Sequence, residues 1–454
     1  MPECFTILAN EIEGRIDPFY YKREFKEKLN KIEKSKFKIV NFEEVITDLK
    51  NGVEIRIYSE NEGFRYLRVT DLGEYEINDS DPRLVKVDKI PNKIKLKEND
   101  FLISRSGSLG LVSSVTNKIK NAILSSHIFK ISLDDKKVSS RYLEVFFRTS
   151  LGQFQFFQKN NGGIVPEINQ PALKSIKVIL PDKETQNHII ALMDNAYSSK
   201  KSKETDAQKL LDSINDCVFD ELGIKLPELE DKMTYVVSSE EVKNNRCDAY
   251  YFQPKFEDVE KAVNEGKFEV KEIEKEIILS NKLENIENYS FINYVDLASI
   301  NKNLGLIKNY NKLDIAEAPS RARQKIENED LLLSSLVGSL KSIAIFEDNI
   351  ENPICSTGFY VIKKSKNYNN YYLWALFRSY IFQTLLQRES SGAIMSAINR
   401  EALLSLKIPL PPLSVQNKIA DEVKKRMQKA EQLQKEAKEE LEKAKLEVEK
   451  IIVG

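Results

Sequence analysis

Histidine is nearly absent from this 454-residue chain. Only His127 and His188 occur, too few for the histidine cluster of a zinc hydrolase. Cysteine is scarce as well. Cys4, Cys217, Cys247 and Cys355 lie far apart, with none of the short spacings of a zinc knuckle or a disulfide framework, and they read as reduced residues. No run approaches the ~18 consecutive apolar residues of a spanning helix. Met1-Pro2-Glu3-Cys4 lacks the basic-then-apolar pattern of a secretory leader, so a cytoplasmic location without a membrane partner is expected. Catalytic signatures are missing too: there is no phosphate-cradling Gly-rich loop ending in Gly-Lys-Ser/Thr. The Asn/Asp-Pro-Pro-aromatic motif of an adenine methyltransferase is not found either, because Pro411-Pro412 opens a helical stretch. Neither half shows a recognisable nuclease set of clustered carboxylates with a lysine. The expectation is a non-catalytic protein with no cofactor and no bound metal.

What the sequence has is length, charge and repetition. A chain this long exceeds one ordinary core, so two or more domains are expected. A charged fraction of 31% beside a hydrophobic fraction of 41% describes a folded, soluble protein. The net charge of -1 is not the footprint of a nucleic-acid binder, but its distribution is uneven. From Asp88 to Lys130, Lys89, Lys93, Lys95, Lys97, Arg105, Lys118, Lys120 and Lys130 face only Asp88, Glu98 and Asp100, a local basic excess inside a neutral whole.

A repeat runs through the chain at a spacing of 230 to 231 residues. Arg15-Ile-Asp17-Pro-Phe-Tyr20 matches Arg246-Cys-Asp248-Ala-Tyr-Tyr251, and Phe25, Phe37 and Ile46 fall on Phe256, Phe268 and Ile277. Asp71-Leu72 recurs as Asp296-Leu297 at the shorter spacing of 225, and Asn99-Asp100-Phe-Leu-Ile-Ser104 as Glu329-Asp330-Leu-Leu-Leu-Ser334 at 230. Gly107 matches Gly338, Phe147-Arg148 matches Phe377-Arg378, and Ile168-Asn169 matches Ile398-Asn399. Each half ends alike, Ile179-Leu-Pro181 with Gln186-Asn187 and Pro409-Leu-Pro411 with Gln416-Asn417, and each ending opens a long helical stretch. Short strand-like runs (Phe101 to Ser104, Leu331 to Ser334, Ala122 to Leu124, Ile343 to Phe346) alternate with helical stretches near Tyr142 to Phe157 and Tyr371 to Gln387. The fold class is therefore α+β, with two tandem pseudo-symmetric mixed α/β domains.

In the second long helix, Ile419, Val423, Met427, Ala430, Leu433, Ala437, Leu441, Ala444, Val448 and Ile451 recur about every 3.6 residues and share one face. The first carries Ile189, Leu192, Ala196, Ala207, Leu210, Ile214, Val218 and Leu222, and ends at Gly223, suited to a left-handed cap. Neither stripe is stable in water alone. Antiparallel pairing of the two helices into a rod of roughly 60 Å would bury both; the alternative is two separate dimerisation tails. The expected divisions are 1–181 and 224–411 for the globular domains, with long helices in 182–223 and 412–454.

Ile408-Pro-Leu-Pro-Pro-Leu413-Ser-Val-Gln416-Asn-Lys-Ile419, the preceding Gly392 and Ile398-Asn399, and Asp100-Phe-Leu-Ile-Ser-Arg-Ser-Gly107 resemble type I restriction-modification specificity subunits. The resemblance spans both repeats. It implies that each target-recognition domain reads one half of a split, asymmetric site in double-stranded DNA, with the helix pair fixing the gap. It also implies that two DNA-adenine methyltransferase subunits dock on the helical region, where Ile189, Leu210, Ile419, Val423, Leu433 and Leu441 are the expected contacts. A motor-nuclease restriction subunit is an optional addition. A different class is a coiled-coil scaffold carrying two protein-binding modules and no DNA contact.

Arg105, beside the Gly107 turn, can fork to guanine, and Ser104, Ser106, Gly107 and Ser108 can approach phosphates; the plain alternative is a solvated loop. In the second repeat Ser335, Gly338, Ser339 and Lys341 occupy the matching loop, with Arg321 and Arg323 just before it. Arg68 faces Asn293 between the halves and is a further candidate reader. Lys159-Asn160-Asn161-Gly162 and Arg388-Glu-Ser-Ser-Gly392 form a second loop pair, whose asparagines can read adenine or merely make a turn. Arg15 with Asp17, and Arg246 with Asp248, persist where the halves otherwise diverge, and are read as domain-closing ion pairs, with DNA contact as the alternative.

Overall fold

Two serial hydrogen-bonding solutions to the same sequence pattern organise the chain. The computed structural model describes all residues except 1–5, 8–11, 13–14, 88, 91, 120, 162, 244–247 and 392–396. Cys4, Asp88, Lys120, Gly162, Arg246, Cys247 and Gly392, singled out above, lie outside the described residues. Contacts divide the chain into one unit of Met1–Ser202 with Glu436–Gly454 and a second of Lys203–Lys435. Among the described residues no helix is long and apolar enough to cross a membrane.

In the first unit an antiparallel sheet runs in the order Ile46–Asn51, Ile128–Leu133, Phe101–Ser104, Val112–Ser114. Phe101–Ser104 lies inside the sheet and is buried at all four positions, which is why it reads as an unbroken apolar run instead of an alternation. Strand Lys38–Asn41 pairs antiparallel with Lys177–Leu180 just before the first long helix. A second sheet, Tyr58–Ser59, Arg83–Val85, Phe64–Leu67, Ile123–Leu124, carries one parallel pair. Helices Arg23–Glu33, Ser140–Arg148 and Ser150–Gln158 complete a core around Phe101, Phe129, Phe146 and Phe147.

The second unit repeats this plan. Leu331–Ser334 is central between Ile343–Ile345 and Phe359–Ile362, and Val270–Glu272 pairs with Lys407–Pro409 before the second long helix. A four-stranded sheet, Asn311–Asp314, Phe291–Val295, Pro353–Ser356, Ala322–Lys325, again holds one parallel pair. The helical stretches expected near Tyr142 to Phe157 and Tyr371 to Gln387 are each two helices: Ser140–Arg148 then Ser150–Gln158, and Asn370–Arg378 then Tyr380–Arg388. Hydroxyls make the breaks. Thr149 Oγ1 donates to Phe146 O (2.7 Å) and Ser379 Oγ to Leu376 O (2.6 Å), so side chains satisfy carbonyls that a continuing helix would have used.

The long helices are Lys183–Leu222 and Leu413–Val453. Gly223 follows the first at φ +67°, the left-handed conformation anticipated for it. In the first unit Ile189, Met193 and Tyr197 share a core with Leu441, Ala444, Val448 and Ile452, and Ser199 donates to Glu440 (2.7 Å). In the second, Ile214, Val218 and Leu222 share one with Ile419, Val423 and Met427. There, Arg426 donates to Ser213 O (2.5 Å) and Lys418 to Glu221 (2.6 Å). Moving from Ser213 to Glu221 along one helix moves the partner back from Arg426 to Lys418, so the pairing in this unit is antiparallel. Met193, Tyr197 and Ile452 are buried where the sequence stripe had pointed to Leu192, Ala196 and Ile451.

Those cores correct the expected docking contacts. Ile189, Ile419 and Val423 are 0% exposed and Leu441 is 2% exposed, all consumed by packing within the chain. Exposing them to seat another subunit would cost about 1.5–3 kcal/mol for each side chain. Leu210 and Leu433 are half-buried against the Ala207 and Ala430 cluster.

Candidate nucleic-acid interface

The same backbone device holds the loop after the central strand in both repeats. Arg105 N–H donates to His127 O (2.7 Å) while Arg105 O accepts from Ile168 N–H (2.9 Å). Ser335 N–H donates to Gly358 O (2.9 Å) and Ser335 O accepts from Ile398 N–H (2.9 Å). The residue at this point is threaded between two neighbouring segments, so its backbone is fixed while its side chain is free to differ. An arginine stands in one repeat and a serine in the other.

The side chains of the first loop engage protein partners. Arg105 donates from Nε (2.9 Å) and Nη2 (2.6 Å) to one oxygen of Glu167, both residues remaining partly exposed. Ser106 Oγ shares a hydrogen bond with exposed His127 Nδ1. Gly107 N–H donates to Pro166 O (3.0 Å); its φ of +84° favours glycine, and it and Ser108 are exposed. Ser104 is a correction: it is 0% exposed, and its hydroxyl accepts from Leu111 N–H (2.9 Å), so it shapes the turn and reaches no phosphate.

The first member of the second loop pair is tied back to Arg15. Asn160 Oδ1 accepts from Glu167 N–H (2.9 Å), which makes it a turn-forming asparagine. Arg15 donates to Asp17 (2.8 Å), to Asn161 Oδ1 (3.0 Å) and to Asn160 O (2.8 Å), so the ion pair read from the sequence also clamps this loop. Lys159 follows helix Ser150–Gln158 as its C-cap, half-buried. Exposed Ile164 and Val165, at the tip of the same loop, were missed because isolated apolar residues between turn formers carry no periodic signal. Arg388 is another correction. Its guanidinium lies 4.5 Å over the Tyr251 ring and pairs with Glu260 (2.7 Å), its side chain only 14% exposed, so it packs the domain interior.

Arg68 is likewise structural. It forks onto Asp71 (2.8 and 3.2 Å) and donates to Asp81 O (2.8 Å), closing the turn that begins Val69–Asp71. The hydrogen bond to Asp71 is the largest influence on its pKa, which lies above the ordinary arginine value despite desolvation. Its donors are aimed at its own turn and not at a base.

Exposed cations remain on both units. Lys130, counted in the basic stretch, is buried on Asp100 (3.4 Å). Lys89, Lys95, Lys97 and Lys118 are exposed, with no ion pair among the described residues. In the second unit Arg321, Arg323 and Lys325 alternate with buried Ala322 and Gln324 along an edge strand, so the charges leave the sheet on its solvent side. Gly338 and Lys341 are exposed, and Ser339 and Ser335 half-buried, the Ser335 hydroxyl donating to Gly358 O (2.9 Å). Among the described residues no group of His, Cys, Asp and Glu is arranged to hold a metal.

These observations define a duplicated module that presents different side chains from one fixed backbone position. The chain matches the type I restriction modification DNA specificity domain over residues 85–211 and 257–443, and it belongs to that family. It is 24% identical to the type I restriction enzyme EcoKI specificity subunit of Escherichia coli (strain K12) over 189 residues, 40% of each chain. It is also 24% identical to the StySPI specificity subunit of Salmonella potsdam over 183 residues, 38% of this chain and 39% of that one. The match thus spans about two fifths of the length of these curated relatives. A crystal structure of the S subunit from M. genitalium aligns over 92% of this chain and 96% of that one, with 13% identity and a TM-score of 0.46.

Proposed function

We propose that the chain is the non-catalytic subunit that gives a type I restriction-modification complex its DNA sequence specificity. Each globular domain, 1–181 and 224–411, reads one half of a bipartite, asymmetric duplex site, and the helices 182–223 and 412–454 set the gap. The observation that carries this reading is the pair of equivalent loop positions: identical backbone bonding at Arg105 and Ser335, different chemistry at the side chain. Two similar folds with unlike readers suit two unlike half-sites. Arg321, Arg323 and Lys341 in one unit, and Lys89, Lys95, Lys97 and Lys118 in the other, supply cations for phosphate. Two DNA-adenine methyltransferase subunits dock on the outward surfaces of the long helices, since the inward ones are filled, and a restriction subunit can join them.

The test is binding of the chain, with its methyltransferase partner, to duplex DNA across salt concentrations. A DNA reader loses affinity steeply with salt, roughly in proportion to the phosphates neutralised. Methylation mapping in a host carrying the partner should then yield two unlike half-sites at fixed spacing. Flat salt dependence with retained protein partners would replace this reading with the scaffold.

A further inference from the structure

Phe147-Arg148 and Phe377-Arg378 are equivalent in the repeat, yet the two arginines meet different charges. Arg148 donates to the carbonyls of Gly73 (3.0 Å) and Val112 (2.6 Å) and to the carboxylate of Glu144 (3.0 Å), which is 1% exposed. Arg378 keeps the carbonyl bonds, to Lys341 O (3.1 Å), Lys302 O (3.0 Å) and Asn303 O (2.8 Å). At the position of Glu144, however, stands Trp374, and the guanidinium lies 4.8 Å over its ring. Among the described residues Arg378 has no carboxylate within ion-pair distance. Burial without an anion pushes it down to about 10.

The uncompensated guanidinium lines a cavity of about 160 Å³ with Lys302 and Lys341, both exposed and without ion pairs among the described residues. Gln208 and Asp212, from the first long helix, line it too, and the Asp212 carboxylate is engaged by Gln208 Nε2 (2.8 Å). The space holds several waters, and so a tetrahedral oxyanion. One missing carboxylate would need one cation. Three cations against a single engaged aspartate suit an anion of higher charge, and lysine paired with arginine is a phosphate-binding combination.

The geometry points to a phosphate-binding site in the second unit, built by Lys302, Lys341 and Arg378, in which the ligand replaces the carboxylate that Glu144 supplies in the first. The phosphate belongs either to a DNA backbone or to a free phosphate or nucleotide. Lys341 is also one of the cations proposed above for the DNA backbone, whereas Lys302 and Arg378 are not.

Full-length protein is titrated with inorganic phosphate at constant ionic strength, chloride serving as control, by calorimetry and ³¹P resonance. Binding by the native chain, weakened about tenfold (about 1.4 kcal/mol) or more in Lys302→Gln/Lys341→Gln, is the expected result. That double variant alters exposed side chains and should fold; Arg378→Gln removes three loop bonds, so it is read only if its circular dichroism is native. Duplex binding of Lys302→Gln alone, which spares the Lys341 proposed to face DNA, separates the sources. A parallel loss assigns the phosphate to DNA, and unchanged duplex affinity with lost phosphate binding assigns it to a free phosphate or nucleotide. No binding beyond chloride, equal binding by the double variant, or preference for an acidic peptide over phosphate would overturn the site. A chain that binds phosphate but shows no salt-steep duplex binding would defeat the DNA reading and leave this inference intact.

Discussion

Arg68 and Arg105 look alike in sequence and differ in what their removal should do. Asp71, the partner of Arg68, is 4% exposed, so Arg68→Ala strands a buried carboxylate. A loss of about 2–3 kcal/mol in denaturant unfolding is expected, discounted for the partial exposure of the arginine. The Arg105 and Glu167 side chains are 32% and 41% exposed, and their separation should cost under about 1 kcal/mol. Arg105→Ala should therefore fold normally and change recognition instead, by about 1–3 kcal/mol at one half-site. Equal destabilisation by the two substitutions would count against the assignment of separate roles. Cys355 offers an independent check: burial holds its thiol far above the ordinary range, and Cys217 is shifted the same way for the same reason. Maleimide labelling near neutral pH, read by peptide mass, should leave Cys355 unmodified until the protein unfolds. At this scale the sequence told which positions are shared but not their partners. The Arg15 and Asp17 pair was legible because it recurs, whereas Glu167 lies 62 residues from Arg105 and no local spacing announces it.

Elements were more legible than contacts. The buried central strands, the long helices and the Gly223 cap follow from apolar run length, period and glycine position. The hydroxyl breaks at Thr149 and Ser379 did not, because apolar periodicity continues past them while hydrogen bonding does not. The recurring Gln186 and Gln416 were visible as a motif without a role. Each is a clamp at the head of its long helix. Gln186 accepts from Ser139 N–H (2.9 Å) and donates to Pro181 O (2.9 Å), and Gln416 accepts from Asn369 N–H (2.9 Å) and donates to Pro411 O (2.8 Å). Both are at most 1% exposed. Gln186→Ala or Gln416→Ala leaves a backbone N–H and a carbonyl unpaired inside, so each should lower stability by about 2–3 kcal/mol, measured by denaturant titration. Asp182 adds a pH dependence at the first helix. Its carboxylate accepts from Thr185 N–H (2.8 Å) and Thr185 Oγ1 (3.2 Å), and these bonds hold it below the ordinary aspartate range. A depressed acid contributes stability above its unfolded value, and that contribution disappears as pH falls below about 4. Asp182→Asn should flatten this acid limb, and an unchanged acid profile would remove the cap from the account.

For the whole molecule the reading makes recognition and spacing separable. Each long helix begins in one compact unit and ends in the other; on the proposed function its length bears on the gap between half-sites, while the loops at Arg105 and Ser335 bear on their sequences. Removing two turns from both helices, residues 200–206 together with 433–439, takes out about 10 Å of rise from each. At about 3.4 Å per base pair this corresponds to roughly three base pairs of spacer. Matched deletion of seven residues preserves the heptad phase of both apolar stripes, so the pairing of Ile189 with the Leu441 cluster, and of Ile419 with the Ile214 cluster, should survive. Methylation mapping of the deletion protein, expressed with its methyltransferase partner, should return the same two half-sites at a shorter spacing. Half-sites that change, or a spacing that does not, would mean that the helices are not the element that measures the DNA.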